Sequence, residues 1–443
     1  MDENILGRDN ITILFWKYSI PAVTGMLFLG LNVLLDGFFV GHYIGIKALA
    51  SVNIAMPFAS LMLAIGVIIG IGVQSTIGRL LGEGNVKEGN DVFKTGLLLM
   101  SGISLLMLML AIGFTKPIAA FLGADAELME LVTSYIRYEG LFLPFFGVMF
   151  VLDYVLKVMG KPLYSMMILI VSVVSHMLLN YYCIVWLEMG IKGAALATGL
   201  SYVVAFIIAL LPFIQGKTIL KLDRGCFKKR MTFDILYNGS PEGLSEMGTG
   251  ITTFLFNITL MRDVGEAGVA AFTAVSYLSF IGNNLLIGLA DGVGAIISYN
   301  YGSGKMERVK KAVTLAGFSA VAVGASLFAC ITIFGRELMG IFLEADYDQV
   351  LALAVSGGSL YAWAFLVNGL NIVASGYFTA IGDPRRSALI AFSKGMVWIV
   401  IGMALLPVLF GMKGIWLTVP VAEALTLLLS SAMLRRHFAG TGE

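Results

Sequence analysis

Asp36 is the only acid in an otherwise apolar run, GLNVLLDGFFVG, residues 30–41. Asn32 precedes it by one helical turn, so in a helix the carboxylate and the carboxamide share a face. An ionisable group in so apolar a segment is costly to hold there, and it marks either a place where a proton or cation is taken up or a hydrogen-bonded clasp between helices. His176 and Asn180 repeat the one-turn spacing in VSVVSHMLLN. An imidazole titrates near neutrality and can tune or relay a proton, or it can serve as a neutral clasp between helices. Glu242 and Glu246 follow Pro241, again one turn apart. Glu246 reads as a cation-attracting acid, and Glu242 as an acid near a helix N-terminus, stabilised by the dipole.

Other polar residues in apolar stretches are candidates for the wall of a substrate cavity. Glu139, Lys394 and Glu423 are of this kind, and Asp291, set among glycines in GLADGVG, suits packing or gating. Asp153 and Lys157, four apart, form a local ion pair. Most of the 23 methionines fill gaps in helix packing. Met26 and Met247 are candidates for an adaptable lining, because flexible thioethers accommodate varied ligands.

Enzyme chemistry finds no footing. The chain has no Walker A run, no HExxH and no GxSxG, and its three cysteines and three histidines are scattered. Neither catalytic residues nor a resident metal or cofactor are expected, and no disulfide framework. A formal net charge of +1 gives no field for nucleic acid. Without a nucleotide site, any work done must draw on an ion gradient, proton or sodium.

The elements that hold these residues are dictated by composition. The chain is 58% hydrophobic and only 13% charged, where soluble domains carry about 25% charge. It belongs in a bilayer. Windows of about 20 apolar residues, each enough to span, number roughly twelve: 12–40, 48–76, 93–115, 130–157, 163–185, 192–214, 233–260, 268–298, 312–335, 349–380, 386–409 and 414–434. The polar N-terminus MDENILGRDN lacks the basic start of a signal peptide, so the first stretch is expected to remain a helix. With the N-terminus cytoplasmic, only seven of the 29 Lys+Arg residues fall outside (Lys47, Lys116, Arg137, Lys192, Arg262, Arg336 and Lys413). That asymmetry places both termini inside, in a cell-membrane protein with many passes.

The chain also repeats itself. A shift of 220 residues lays Pro21 on Pro241, Gly45 on Gly265, Gly72 on Gly292 and Gly84 on Gly304. Further along, FLGADAE (121–127) matches FLEADYD (342–348), MGKP (159–162) matches IGDP (381–384), and GIKG (190–193) matches GMKG (411–414). Each repeat has six spans, so both enter the membrane in the same direction. The expected fold is all-α: twelve transmembrane helices as two pseudo-twofold six-helix bundles around a central cleft. The expected division is an N-lobe over 1–216, a basic cytoplasmic linker over 217–232 and a C-lobe over 233–443. The acid is not repeated, because Asp36 falls on Phe256.

Taken together, LNVLLDGFFVGHYIG, QSTIGRLLGEGNVKE, SYNYGSGKMERVKKA and MGIKGAALATGLSY on a six-plus-six plan resemble the multidrug and toxic compound extrusion family, in its DinF-like branch. The resemblance covers nearly the whole chain. It implies an antiporter that exports amphipathic, often cationic, small molecules against a proton or sodium gradient by alternating access. It also implies a polar pocket for the coupling ion in the N-lobe, mapping onto Asp36, His176, Asn180 and Thr198, to which Asn32 adds its amide. Relatives of that branch show Asn and Asp where this chain has His176 and Asn180. The missing acid favours a proton-titrating Asp–His pocket over a sodium site. A flippase for lipid-linked or polysaccharide precursors is the alternative within the same superfamily. It would call for a cationic cavity, whereas the candidates here are mainly acidic.

Overall fold

The computed structural model describes residues 5–343 and 348–440. Residues 344–347 of the FLEADYD match lie outside them. Among the described residues the chain is helical with no strand. Twelve long helices account for the spans. They are α1 (Ile11–Ile44), α2 (Ile46–Gly82), α3 (Val86–Gly113), α4 (Met129–Gly140 and Leu143–Val158), α5 (Pro162–Trp186) and α6 (Gly190–Ile214), then α7 (Lys229–Asp263), α8 (Glu266–Gly302), α9 (Met306–Ile333), α10 (Asp348–Ile381), α11 (Pro384–Phe410) and α12 (Met412–Gly440).

Ten of these are long and apolar enough to cross a bilayer, and α4, bent by 48° at its break, makes an eleventh. The twelfth expected span, α7, is an unbroken helix of 35 residues, but Asp234, Asn238, Glu242 and Glu246 keep it too polar to qualify by composition. Because α7 starts at Lys229, Glu242 lies more than three turns inside it. The expectation that Glu242 caps a helix start is corrected: its surroundings are electrostatic, set by Lys394, Glu246 and Asp291.

The repeat is visible in the backbone. Four interhelical turns use a glycine in the left-handed region, in matched pairs: Gly45 and Gly265 (φ 119° and 81°), Gly84 and Gly304 (79° and 71°), Gly160 and Gly382 (83° and 82°), Gly190 and Gly411 (59° and 58°). A side chain at such φ is strained, so the glycines fix where each helix stops. A side-chain latch repeats too. Ser165 of α5 bonds Asp153 of α4, and the equivalent Ser387 of α11 bonds Ser375 of α10 at 2.8 Å. Asp153 also pairs with Lys157 at 3.1 Å, as the spacing predicts, both being buried, while Thr379 takes that lysine's place and bonds Ser387 at 2.8 Å.

The chain folds into two compact units that do not follow the sequence halves at their ends. One holds Thr24–Gly239 with the short helix Ile5–Arg8; the other holds Asp9–Val23 with the chain from Ser240 on. The start of α7 thus belongs with the first unit and the start of α1 with the second. Small residues explain both attachments. In the first unit a Cβ on Gly72 would lie 2.1 Å from the Ile235 carbonyl oxygen, and one on Gly239 would lie 1.9 Å from that of Ile68. In the second, Gly292 faces Tyr18 and Ser19 at 2.9 Å in the same way. Arg308 donates to the Asp9 carbonyl at 2.8 Å, fixing the start of α1 there.

The segment between α6 and α7 is tied along α3. Backbone N–H groups of Lys221, Cys226 and Lys228 donate to Asn90, Asp91 and Thr95 at 2.8, 2.8 and 3.1 Å. The Lys228 ammonium pairs with the Asp91 carboxylate, which raises the lysine's pKa above its ordinary value. A raised lysine pKa means the pair is intact throughout the neutral range and is lost only as pH climbs past that value. Asp91→Asn is expected to loosen this strap at neutral pH and to speed tryptic cleavage between Lys217 and Arg230 severalfold. Unchanged cleavage would show that the strap is held by other bonds.

Candidate functional site

In the first unit, α1, α4, α5 and α6 bring the sequence-predicted coupling residues together. His176 and Asn180 lie one turn apart on α5, fully or almost fully buried (2% and 0% exposed). The His176 Nδ1 is 2.7 Å from Asn32 Oδ1, and its Nε2 is 3.0 Å from Thr198 Oγ1, 3.1 Å from Asn180 Nδ2 and 3.4 Å from Asp36 Oδ1. Asn180 Nδ2 also donates to Asp36 Oδ1 at 3.2 Å. Asn32 Oδ1 can only accept, so it fixes the proton on Nδ1 and leaves Nε2 facing Asp36. The Thr198 hydroxyl lies 3.0 Å from Nε2 and 3.1 Å from the Ala194 carbonyl and can donate to either. Asn180 Oδ1 is buried with no hydrogen-bond partner.

This bonding pattern is consistent with an ionised Asp36 beside a neutral His176, with one amide serving both. Turning the Asn180 amide over gives a second consistent state. Its Oδ1 then accepts from a protonated Nε2 or from a protonated Asp36, and the orphaned oxygen acquires a donor. The amide can therefore serve either bonding pattern without moving a backbone atom.

Three further side chains belong to this cluster. Glu139, predicted to line a substrate cavity, is buried (3% exposed) and lies within electrostatic reach of Asp36. Tyr202 of α6 lies in the field of both acids, as does Tyr135 of α4, which sits beside Thr198. The two tyrosines were not picked out from sequence. Their signal was the one-turn spacing from Tyr135 to Glu139 and from Thr198 to Tyr202, which is weak because tyrosine is common at helix interfaces. Close approach of α4 and α6 depends on Gly199, where a Cβ would lie 2.0 Å from the Phe142 ring. Two π-helical turns flank the cluster, Val40–Ile44 closing α1 and Tyr181–Trp186 closing α5. Such turns are frequent at functional sites. Met26 lies in this unit too, half-buried.

The second unit holds Glu242, Glu246, Met247 and Asp291. Glu246 and Met247 are exposed on α7, and Glu242 and Asp291 are half-buried. Lys394, in the π-helical turn Ser393–Val397 of α11, acts on both glutamates. Helices α7 and α11 touch backbone to backbone there, since a Cβ on Gly248 would lie 2.7 Å from the Gly395 Cα. Phe256, the counterpart of Asp36, is wholly buried and stacks on Phe272 at 4.6 Å, with Trp416 at 6.1 Å. At the repeat offsets His176, Asn180 and Thr198 fall on Trp398, Gly402 and Val419. At these three positions and at Phe256 the second unit is apolar where the first is polar.

Known proteins resemble this chain along nearly its whole length. The MatE family model matches residues 21–182 and again 244–405, once in each repeat. The multidrug export protein MepA of Staphylococcus aureus (strain MRSA252) is 26% identical over 425 residues, covering 94% of this chain and 91% of that protein. MepA of Staphylococcus saprophyticus is also 26% identical, over 419 residues and the same shares. The fold is that of a MOP superfamily transporter from Pyrococcus furiosus (TM-score 0.92, 22% identity, 100% of this chain and 99% of that one). It is also that of a MATE transporter in its straight conformation (TM-score 0.93, 22% identity, the same coverage). Two matched repeats, eleven apolar spans with a polar twelfth, and export proteins aligned along nearly the whole chain lead to one conclusion: this is a multi-pass membrane protein of the MatE family of multidrug efflux transporters.

Proposed function

We propose that the chain is a proton-driven antiporter exporting amphipathic organic cations, with both termini on the cytoplasmic face of the cell membrane. The observation that carries this reading is the Asp36–Asn180–His176 network, whose amide bonds consistently in two protonation states. Ionised, Asp36 attracts a cation. Protonated, it no longer does, so proton and substrate exclude one another through charge. That mutual exclusion is the linkage an antiporter needs. Alternating access between the two repeats then carries each ligand one way.

The imidazole at the centre of the cluster supports protons over sodium, because a sodium site calls for hard oxygen donors. The export proteins among the relatives support organic substrates. The acids of the second unit, Glu242, Glu246 and Asp291 against the single Lys394, support cationic ones. A phosphate-bearing lipid precursor would meet the wrong sign of charge there.

The test is efflux of an ethidium-like cation from proteoliposomes under an imposed pH gradient or an imposed sodium gradient. Efflux is expected with the pH gradient alone. Efflux driven only by sodium would overturn the proton assignment, and no flux under either would overturn antiport.

A further inference from the structure

One short stretch of the strap between α6 and α7, residues 216–222, collects four lysines of the first unit. Lys94 is the last charge on α3 before an apolar run that reaches Lys116. Lys161 directly precedes α5, and Lys217 and Lys221 follow α6. Three of the ammonium groups turn to backbone carbonyls of this stretch. Lys94 donates to Leu222 at 2.9 Å, Lys161 to Lys217 at 2.7 Å and Lys221 to Gly216 at 2.6 Å. Among the described residues no carboxylate pairs with any of the four. Asp223, the one acid of residues 215–230, is exposed and bonds none of them.

Like charges held together without an acid repel, and an anion among them removes the penalty. The strain is felt at Lys161, whose pKa is lowered by desolvation and then by the neighbouring Lys217. The second unit shows the same corner neutralised from within. At the offset of MGKP and IGDP, Lys161 falls on Asp383. That carboxylate accepts from the Arg386 backbone N–H at 3.3 Å and pairs with the Arg386 guanidinium at 3.2 Å. At the offset of 220, Lys94 falls on Thr314. The first unit thus sets two cations where the second sets an acid and a hydroxyl.

Lys94 and Leu222 also stand at one end of an apolar groove of about 230 Å³. Its walls are Leu97 and Ser101 of α3, Val148 and Leu152 of α4, and Phe206 and Leu210 of α6. Exposed Leu98, Leu105 and Met109 continue along α3 at spacings of one helical stripe. An exposed apolar stripe on a spanning helix faces acyl chains. A cationic rim at the mouth of an apolar groove matches a molecule that joins a phosphate to a hydrocarbon chain. An inorganic anion would use the rim alone, and an apolar solute the groove alone.

We infer that the first unit binds an anionic phospholipid here, its phosphate on Lys94, Lys161 and Lys221 and one acyl chain in the α3–α4–α6 groove. Each ammonium group uses one N–H on a carbonyl and keeps two for phosphate oxygens. The headgroup then bridges α3, the start of α5 and the strap, holding the strap in place. The site is separate from the Asp36 cluster and independent of the antiport reading.

The experiment titrates the purified full-length protein, in a neutral detergent at low salt, with fluorescent phosphatidylglycerol, so its outcome does not depend on efflux. Unlabelled phosphatidylglycerol, phosphatidylcholine and glycerol phosphate serve as competitors. Phosphatidylglycerol is expected to displace the probe far better than phosphatidylcholine, and glycerol phosphate to displace almost none. K94Q and K161Q are each expected to weaken binding by about fivefold. S101F, which fills the groove, should weaken it as well. K311Q, which removes an exposed lysine of the second unit, should leave it unchanged. If K94Q fails to fold, K161Q, at the head of α5 and outside the span, carries the same expectation. Equal competition by phosphatidylcholine, or a loss in K311Q as large as in K94Q or K161Q, would mean general attraction and overturn the site. Displacement by glycerol phosphate as effective as by the lipid, or unchanged affinity in S101F, would overturn the seated chain and with it the inference.

Discussion

Asp36→Asn is expected to abolish pH-driven efflux while leaving a folded protein. The amide cannot ionise, so the cluster is held in the charge state that protonation otherwise creates. In the wild type, binding of an organic cation should weaken as pH falls, because a proton on Asp36 removes the charge that attracts it. Coupling between two ligands is commonly about 1–3 kcal/mol, a factor of roughly 5–150 in affinity. The variant should bind with the weaker affinity at all pH values, giving a flat profile in equilibrium titrations with a fluorescent cation. Full pH-driven transport by Asp36→Asn would sink the mechanism. A pH dependence that survives in Asp36→Asn and vanishes in His176→Gln would move the proton to the imidazole.

A comparable effect, on stability, is expected at Asp153. This carboxylate pairs with Lys157 at 3.1 Å and bonds Ser165, and both charged side chains are nearly inaccessible. Breaking a buried pair by removing one partner leaves an uncompensated charge and costs about 3–5 kcal/mol. Asp153→Ala should lower the melting temperature of the purified protein by on the order of 10 °C. The second repeat supplies the rescue, since it performs the same helix-to-helix latch with Ser375, Thr379 and Ser387 and no charge. The double variant Asp153→Ser/Lys157→Thr should recover most of the loss. If Asp153→Ala alone is as stable as the wild type, Lys157 finds another partner and the pair is not what holds α4.

Why the first unit keeps an ion pair where the second uses hydroxyls has a local reason. Lys157 lies over the Tyr154 ring, 4.3 Å from its centre. The ring face holds the lysine's charge and stem, and the residue equivalent to Tyr154 in the second repeat is Gly376, which offers no ring.

Much was legible in the sequence alone. The scarcity of charge required a bilayer, the spacing of apolar windows gave the helices, and matched glycines gave the repeat. Those glycines proved to be turn residues at positive φ, which is why an offset of about 220 survives along the halves. The one-turn spacings also read correctly, placing Asn32 with Asp36 and His176 with Asn180 on single faces, and pairing Asp153 with Lys157. Periodicity within a helix is a property of local geometry, and local geometry is written in sequence.

What tertiary structure decided is which faces meet. No spacing rule joins α1 to α5, or says that Asn180 serves Asp36 and His176 at once; that depends on helices 144 residues apart in sequence. Nor did sequence place Glu139 beside Asp36, where it reads as a cavity residue, or gather Asn371, Ser430 and Tyr361 around Glu423. The exchange of helix starts between the units was hidden for the same reason. It rests on backbone approaches at Gly72, Gly239 and Gly292, and a glycine in an apolar helix looks the same whether it faces lipid or another backbone. Sequence determined the helices, their number and their order. Packing alone decided which buried charges share a neighbour, because a buried charge is governed by what surrounds it in space.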